Sequence, residues 1–274
     1  MNALPPLAVV GAGSMGGAIL RGLLASGVDP ASVAVSTRST ASAQAWGADG
    51  VRAIAVADDA TANAAAVVGA RVVLIGVKPA MVPDTLREIA DALEPDALVV
   101  SVAAGVSIVT MESIVPNPVV RAMPNTPALV RRAVTGIAAG SRTTDADLAV
   151  ARALFEAVGS VIEVPESQIN ALSAFSGSGP AIYAFVVEQL TVSAQRLGFT
   201  EADARTMAEQ TFVGTAELMV ATGDEPAELR RKVTSPKGTT ERIIAVLEDA
   251  DLASIFDRAA AAAIARAEEL SAGS

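Results

Sequence analysis

Residues 7–27 read LAVVGAGSMGGAILRGLLASG. A four-residue apolar run, Leu7–Val10, has the length and character of a buried strand. Beyond the glycines, Ile19, Leu23 and Leu24 recur at helical spacing, and Gly27 supplies a stop. Between strand and helix stands G-x-G-x-x-G, with Gly11, Gly13 and Gly16 at its fixed positions. In that context the first glycine permits a tight turn, the second close backbone approach to a pyrophosphate, and the third close packing of helix on strand. The unpaired amides and partial positive charge of the helix start then favour an anion. Gly11, Ala12, Gly13, Ser14, Met15 and Gly16 are therefore candidate cofactor contacts.

Working outward, the same alternation repeats. Short β-branched runs at Val33–Ser36, Val51–Val56, Val72–Val77, Leu98–Ala103 and Val119–Met123 are separated by helical patterns, which predicts a parallel sheet with right-handed crossovers. Gly136–Gly140 and Val161–Val164 are expected as edge strands around a helix at Asp145–Val158. After Pro165 the strand signal stops. Gln168–Phe175, Pro180–Leu197, Glu201–Ala221 and Arg242–Leu270 read as helices, interrupted by SGSGP, Gly198, TGDEP and TSPKG. The expectation is an α/β chain: an N-terminal Rossmann-like, mostly parallel sheet over residues 1–164, then an all-helical domain over 165–274.

Composition narrows the chemistry. The chain of 274 residues is 51% hydrophobic and 18% charged, as suits a packed globular protein. A net charge of −10 gives no reason to expect nucleic acid or an anionic membrane as partner. Without cysteine there is no disulfide or thiol catalysis; without histidine the commonest general acid–base and metal ligand is missing, and no metal site is expected. No basic region precedes a long apolar run at the N-terminus, and no apolar stretch reaches membrane-spanning length unbroken, so a soluble cytoplasmic protein is expected.

The end of the second strand selects the cofactor. NAD-binding folds place an acid there for the ribose hydroxyl, whereas this chain has Ser36-Thr37-Arg38-Ser39. Hydroxyls and a guanidinium suit a 2′-phosphate, which predicts NADPH, with NADH as the alternative. Ligands bind at the carboxyl ends of such strands. Val77-Lys78-Pro79, Ala103-Ala104-Gly105 and Met123-Pro124-Asn125 are therefore expected around the nicotinamide, with the Asn125 amide paired to its carboxamide.

GAGSMGGAI, VKP, SVAAGVS, MPNTPA, SGSGPA and VTSPKGTT stand in the order and spacing of pyrroline-5-carboxylate reductase, and the resemblance spans essentially the whole chain. It implies NAD(P)H-dependent reduction of 1-pyrroline-5-carboxylate to L-proline, the last step of proline biosynthesis. It also implies a helical domain that forms a homodimer, often within a larger ring of dimers. Carried over by position, Gly11 to Gly16 match the phosphate loop, and Val77, Lys78, Pro79, Ala80, Ala103, Ala104 and Gly105 match cofactor-lining stretches. Asn63 matches an asparagine at the adenosine half, and Thr240 the threonine that faces the substrate's ring nitrogen. The chain departs from the pattern at Lys237, where glycine is usual, at Ile243, where a small residue is usual, and at Arg131-Arg132-Ala133, which replaces Gly-Glu-Gly.

Imine reduction needs a hydride donor, a proton for nitrogen and an anchor for the carboxylate. The run SPKGTT before an apolar-periodic segment reads as a helix start, with Ser235 as cap, Pro236 in the first turn, and open amides at Gly238, Thr239 and Thr240. A carboxylate fits those amides, and the Thr240 hydroxyl orients the nitrogen. Lys237 is read as a solvated loop lysine, Ser176 as a hinge residue that also reaches substrate, and Tyr183 as packing. A β-hydroxyacid dehydrogenase shares the two-domain plan but requires a lysine on the long helix, and residues 180–198 contain none. A non-catalytic NADPH-binding protein is the third reading.

Overall fold

The computed structural model describes residues 4–272. It divides into two compact units: one runs to Ser178 and resumes at Ala263, and the other is Gly179–Ala262.

The first unit follows the alternation read from the sequence. Its elements in chain order are β1 (Leu7–Val10), α1 (Ser14–Ala25), β2 (Val33–Thr37), α2 (Thr40–Ala48), β3 (Arg52–Ala55), α3 (Ala62–Val67), β4 (Val72–Ile75) and α4 (Val82–Ile89). There follow β5 (Leu98–Ser101), α5 (Ile108–Glu112), β6 (Val119–Met123), β7 (Ala133–Ala139), α6 (Asp145–Glu156), β8 (Gly159–Glu163) and α7 (Ile169–Leu172). The strands form one sheet in the order β3-β2-β1-β4-β5-β6-β7-β8. Neighbours are parallel except β6 and β7. Strand order reverses between β1 and β4, and that reversal opens the crevice where α/β sheets take ligands.

Both faces of the sheet are covered, which is why its central strands are apolar at every position. Val9, Val35, Leu74 and Val100 pack with Ile19, Leu23, Trp46 and Phe155 on one face. Val10, Val73, Ile75 and Val99 pack with Val82, Leu86, Met111 and Ile169 on the other. The helix at 145 starts on a capping box: the Thr144 hydroxyl accepts from the Asp147 amide, and the Asp147 carboxylate accepts from the Thr144 amide.

Two expectations change here. The strand sought at Gly136–Gly140 begins at Ala133 and lies inside the sheet, with β8 outside it. A Cβ at Gly136 would stand 2.5 Å from the Leu172 side chain, so that glycine makes room for α7 and does not mark an edge. The first unit also extends past residue 164, because Ile169 is buried in its core and Arg121 of β6 bonds Glu166 and Asn170.

The second unit is helical. It contains α8 (Gly179–Arg196), α9 (Glu201–Thr222), α10 (Pro226–Lys232) and α11 (Thr239–Asp249), and the start of α12 (Leu252–Ala272). The Thr200 hydroxyl caps α9 by accepting from the Asp203 amide, and Gly223 ends it at φ +67°. The expected single helix over 242–270 is two helices, broken at Asp251, whose φ is +48°. The stretch after TGDEP, expected as a break, forms α10. Among the described residues of this unit, only Ala204, Ala208 and Leu229 are buried hydrophobics.

Candidate functional site

At the end of β1 the chain turns through Gly11, whose φ of +87° lies in the left-handed region. The carbonyl of Ser36, at the end of β2, accepts from the amides of Gly11 (3.1 Å) and Ala12 (3.2 Å) and so fixes the loop to the sheet. A Cβ on Gly16 would lie 2.7 Å from the Gly11 carbonyl oxygen, which bars a side chain there. A Cβ on Gly13 would meet nothing within 4 Å. Gly13 is the N-cap of α1 and brings no side-chain bond to it. Among the described residues the amides of Ser14, Met15 and Gly16 have no backbone acceptor. The result is an open helix start with room beside it for a diphosphate.

The hydroxyls at the end of β2 face inward, which corrects their reading as phosphate contacts. Ser36 is 1% exposed and its hydroxyl has no partner among the described residues. Thr37 is buried and its hydroxyl donates to the Ser39 carbonyl at 3.0 Å. As neighbours on a strand they point to opposite faces, and both are buried because both faces of the sheet are covered. Arg38 and Ser39 are the exposed members of the run, and Arg38 makes no hydrogen bond or ion pair among the described residues. Asn63, in the first turn of α3, donates from its amide nitrogen to the Glu88 carboxylate at 2.9 Å.

Farther along the crevice a cleft of about 410 Å³ lies against the ends of β4, β5 and β6. Lys78, Pro79, Ala80, Ala104 and Gly105 line it, so the structure brings these sequence candidates together. Gly105 turns the chain at φ +77°. Ala103 is buried behind this wall, and Val77 packs against the Gly11 turn. Asn125 does not face the cleft as expected. Its amide nitrogen donates to the Ser176 carbonyl (2.9 Å), its oxygen accepts from the Val134 amide (3.0 Å), and it is 7% exposed. A buried amide satisfied at both ends is a brace.

Three residues of this region escaped the sequence reading. Arg121 lines the cleft as the one charged residue buried among the described residues. Its guanidinium donates to Glu166 (3.1 Å) and to the Asn170 side-chain oxygen (3.2 Å). The same Glu166 oxygen accepts from the Ile108 amide at 2.7 Å, where α5 begins after the Ala103–Gly105 turn. A lone arginine inside the apolar strand VVRAM was the available signal.

Ser176 sits in a π-helical turn, Ser173–Gly177, that precedes α8. The segment therefore does not open the long helix directly. The Ser176 hydroxyl donates to the Leu172 carbonyl at 3.0 Å, within its own turn, and keeps its acceptor capacity. Irregular turns of this type concentrate at functional sites.

In the second unit, the Gly238 amide donates to the Ser235 carbonyl at 3.0 Å, closing a turn with Pro236 and Lys237 at its centre. Lys237 has φ +63°, the conformation the second central position of a type II turn requires. Helix α11 then starts at Thr239 with Gly238 as N-cap. Ser235 is therefore no cap, Pro236 precedes the helix, and the Gly238 amide is engaged. The Lys237 amide donates to the Glu241 carboxylate at 2.6 Å. The amides of Thr239 and Thr240 meet no acceptor among the described residues, and the half-buried Thr240 hydroxyl has no partner there either. Nearby, Lys232 donates to Asp224 and holds its carboxyl below the usual range.

Residues 166–270 match the family model described as pyrroline-5-carboxylate reductase dimerisation, and residues 6–105 match that of the coenzyme F420-dependent NADP oxidoreductases. The chain is 38% identical over 269 residues to a pyrroline-5-carboxylate reductase of Pseudomonas aeruginosa, covering 97% of each. It is 39% identical over 269 residues to one of Corynebacterium melassecola, covering 96% of this chain and 98% of that one. A solved pyrroline-5-carboxylate reductase of Coxiella burnetii superposes with a TM-score of 0.92 at 37% identity, covering 98% of this chain and 99% of that one.

Proposed function

The chain belongs to the pyrroline-5-carboxylate reductase family, and on that premise we propose that it reduces 1-pyrroline-5-carboxylate to L-proline with NADPH, as the last step of proline biosynthesis. The observation that carries the reading is the open start of α1 beside Gly13, with Arg38 free at the end of β2. The amides of Ser14, Met15 and Gly16 take the diphosphate, Arg38 takes the 2′-phosphate, and Asn63 serves the adenosine half. Lys78, Ala80, Ala104 and Gly105 form the wall for the nicotinamide. NADPH supplies the hydride when bound.

The second unit supplies the means to hold a small carboxylate. The free amides of Thr239 and Thr240 at the start of an 11-residue helix stabilise an anion by roughly 0.3–1 kcal/mol through the helix dipole, besides the charge-assisted bonds themselves. Thr240 presents its hydroxyl to the imine nitrogen and orients it. In a chain without histidine this hydroxyl works as an orienting group, with water relaying protons. The protein acts as a homodimer in the cytoplasm; particle mass distinguishes a dimer from a ring of dimers. Among the described residues, no helix is long and apolar enough to cross a membrane.

Purified protein given NADPH and pyrroline-5-carboxylate is expected to consume nicotinamide absorbance in step with proline formed. Thr240→Ala is expected to lower turnover by about a hundredfold, in the range of a lost positioning or proton-transfer group, while leaving the Kd for NADPH within about threefold. No proline at high enzyme concentration would refute the activity. An equal loss in turnover and NADPH affinity would remove Thr240 from the substrate site.

A further inference from the structure

A buried cation beside a nicotinamide site has an electrostatic consequence. Reduced and oxidised nicotinamide differ by one positive charge on the ring, so any net charge on the cleft wall favours one form over the other. Arg121 is 6% exposed and lines the cleft with Lys78, Ala104, Gly105 and Met123. Left alone, its charge would repel the oxidised ring. It is not alone: Glu166 lies 3.1 Å from its guanidinium, and Asn170 accepts from the other terminal nitrogen. Glu166 also holds the Ile108 amide, so its carboxylate is tied to the chain leaving the Ala104–Gly105 turn. Lys78, the other cation on the wall, is exposed, and water screens it more effectively than a buried group.

We propose that Arg121 and Glu166 form a charge-balancing pair that sets the preference of the cleft between oxidised and reduced cofactor. Glu166 cancels the Arg121 charge, so that the site accepts the cationic ring. This inference rests on the nicotinamide end of the cofactor occupying this cleft, as proposed above.

The test is the ratio of Kd for NADP⁺ to Kd for NADPH, read by titration calorimetry on the full-length protein. Glu166→Gln keeps shape and hydrogen bonding but leaves Arg121 uncompensated, and the ratio is expected to rise about tenfold, the scale of one unbalanced charge at protein dielectric. That change corresponds to about 30 mV in the potential of the bound two-electron couple. Arg121→Met leaves a bare carboxylate, and the ratio is expected to fall by a similar factor. Arg121→Lys keeps the charge and is expected to keep the ratio.

The double variant Arg121→Met/Glu166→Gln removes both charges and is expected to return the ratio to within about threefold of the parent. Losing both members of a pair with a buried partner is commonly tolerated where losing one is not. If Arg121→Met fails to fold, Glu166→Gln and the double variant decide. A purely structural role predicts that each variant weakens both cofactor forms by the same factor; an unchanged ratio in Glu166→Gln overturns the proposal. Failure of the parent protein to bind either form would instead refute the cofactor site itself.

Discussion

At the scale of single residues, two of this chain's departures from its family's pattern share a backbone feature. Lys237 and Arg131 stand where the family resemblance leads one to expect glycine, and both have positive φ, +63° and +57°. The fold demands a left-handed residue at each turn, and this chain meets the demand with a long cationic side chain. Outside glycine that conformation costs on the order of 1–2 kcal/mol. Against this, glycine raises the entropy of the unfolded chain by about 0.4–1 kcal/mol. Lys237→Gly is therefore expected to be neutral to stabilising, by up to about 1 kcal/mol in urea unfolding, with turnover retained. A loss of stability beyond about 1 kcal/mol would mean that the lysine side chain contributes contacts of its own. Arg38 makes the opposite case, a side chain with no partner among the described residues. Arg38→Ala is expected to weaken NADPH by about tenfold or more, the usual worth of a hydrogen bond to a charged group, and to leave NADH within about twofold. Equal effects on the two cofactors would remove Arg38 from the 2′-phosphate. Sequence alone named Arg38, because it lies in a run whose position in the fold was readable. It misjudged Ser36 and Thr37, because they point to opposite faces of the strand and both faces are covered, and a four-residue motif does not reveal what lies over each face.

At the scale of elements, what could be read depended on whether a break was written in residue type or in geometry. Strands β1, β4 and β5 are apolar on both faces and bounded by turn residues, so they were found to within about two residues. The junction of α11 and α12 was missed. It contains neither glycine nor proline; Asp251 turns the chain at φ +48° instead. The Asp251 carboxylate accepts from the Ser254 hydroxyl and amide, and these bonds hold its carboxyl below the usual range. Because the folded value is depressed, the stabilisation is fully present above the unfolded value of about 3.9 and is lost as pH falls through the lower folded one. Asp251→Asn is therefore expected to melt below the parent at neutral pH, with the gap constant down to about pH 5 and closing below about pH 4. A gap independent of pH across that range would show that the charged form has no special role at the break. The brace at Asn125 was similarly invisible, since MPNTP announces a turn and not the two carbonyl and amide groups the turn will bridge.

At the scale of the whole molecule, the two units differ in how their apolar residues are covered. The first buries two continuous faces of a sheet. The second has only Ala204, Ala208 and Leu229 as buried hydrophobics among its described residues, while Phe185, Leu190, Val220 and Val246 are exposed, Val220 by 70%. Helices that leave such residues in water gain little apolar burial to offset their ordering entropy. A groove between α8 and α9 lined by Leu190, Met207 and Phe212 adds to the uncovered area. Burial against a second copy supplies what is missing, and the match of residues 166–270 to a dimerisation model agrees with that deficit. Folding and assembly are then one equilibrium, so the melting temperature is expected to rise with protein concentration. Raising total protein a hundredfold in a system whose unfolding releases monomers should shift the transition by several degrees. At working concentration, light scattering should give at least twice the chain mass of 27.6 kDa. A chain-mass particle with a concentration-independent melting temperature would contradict the dimer, and would require the exposed face of α8 and α9 to be stable in water by itself.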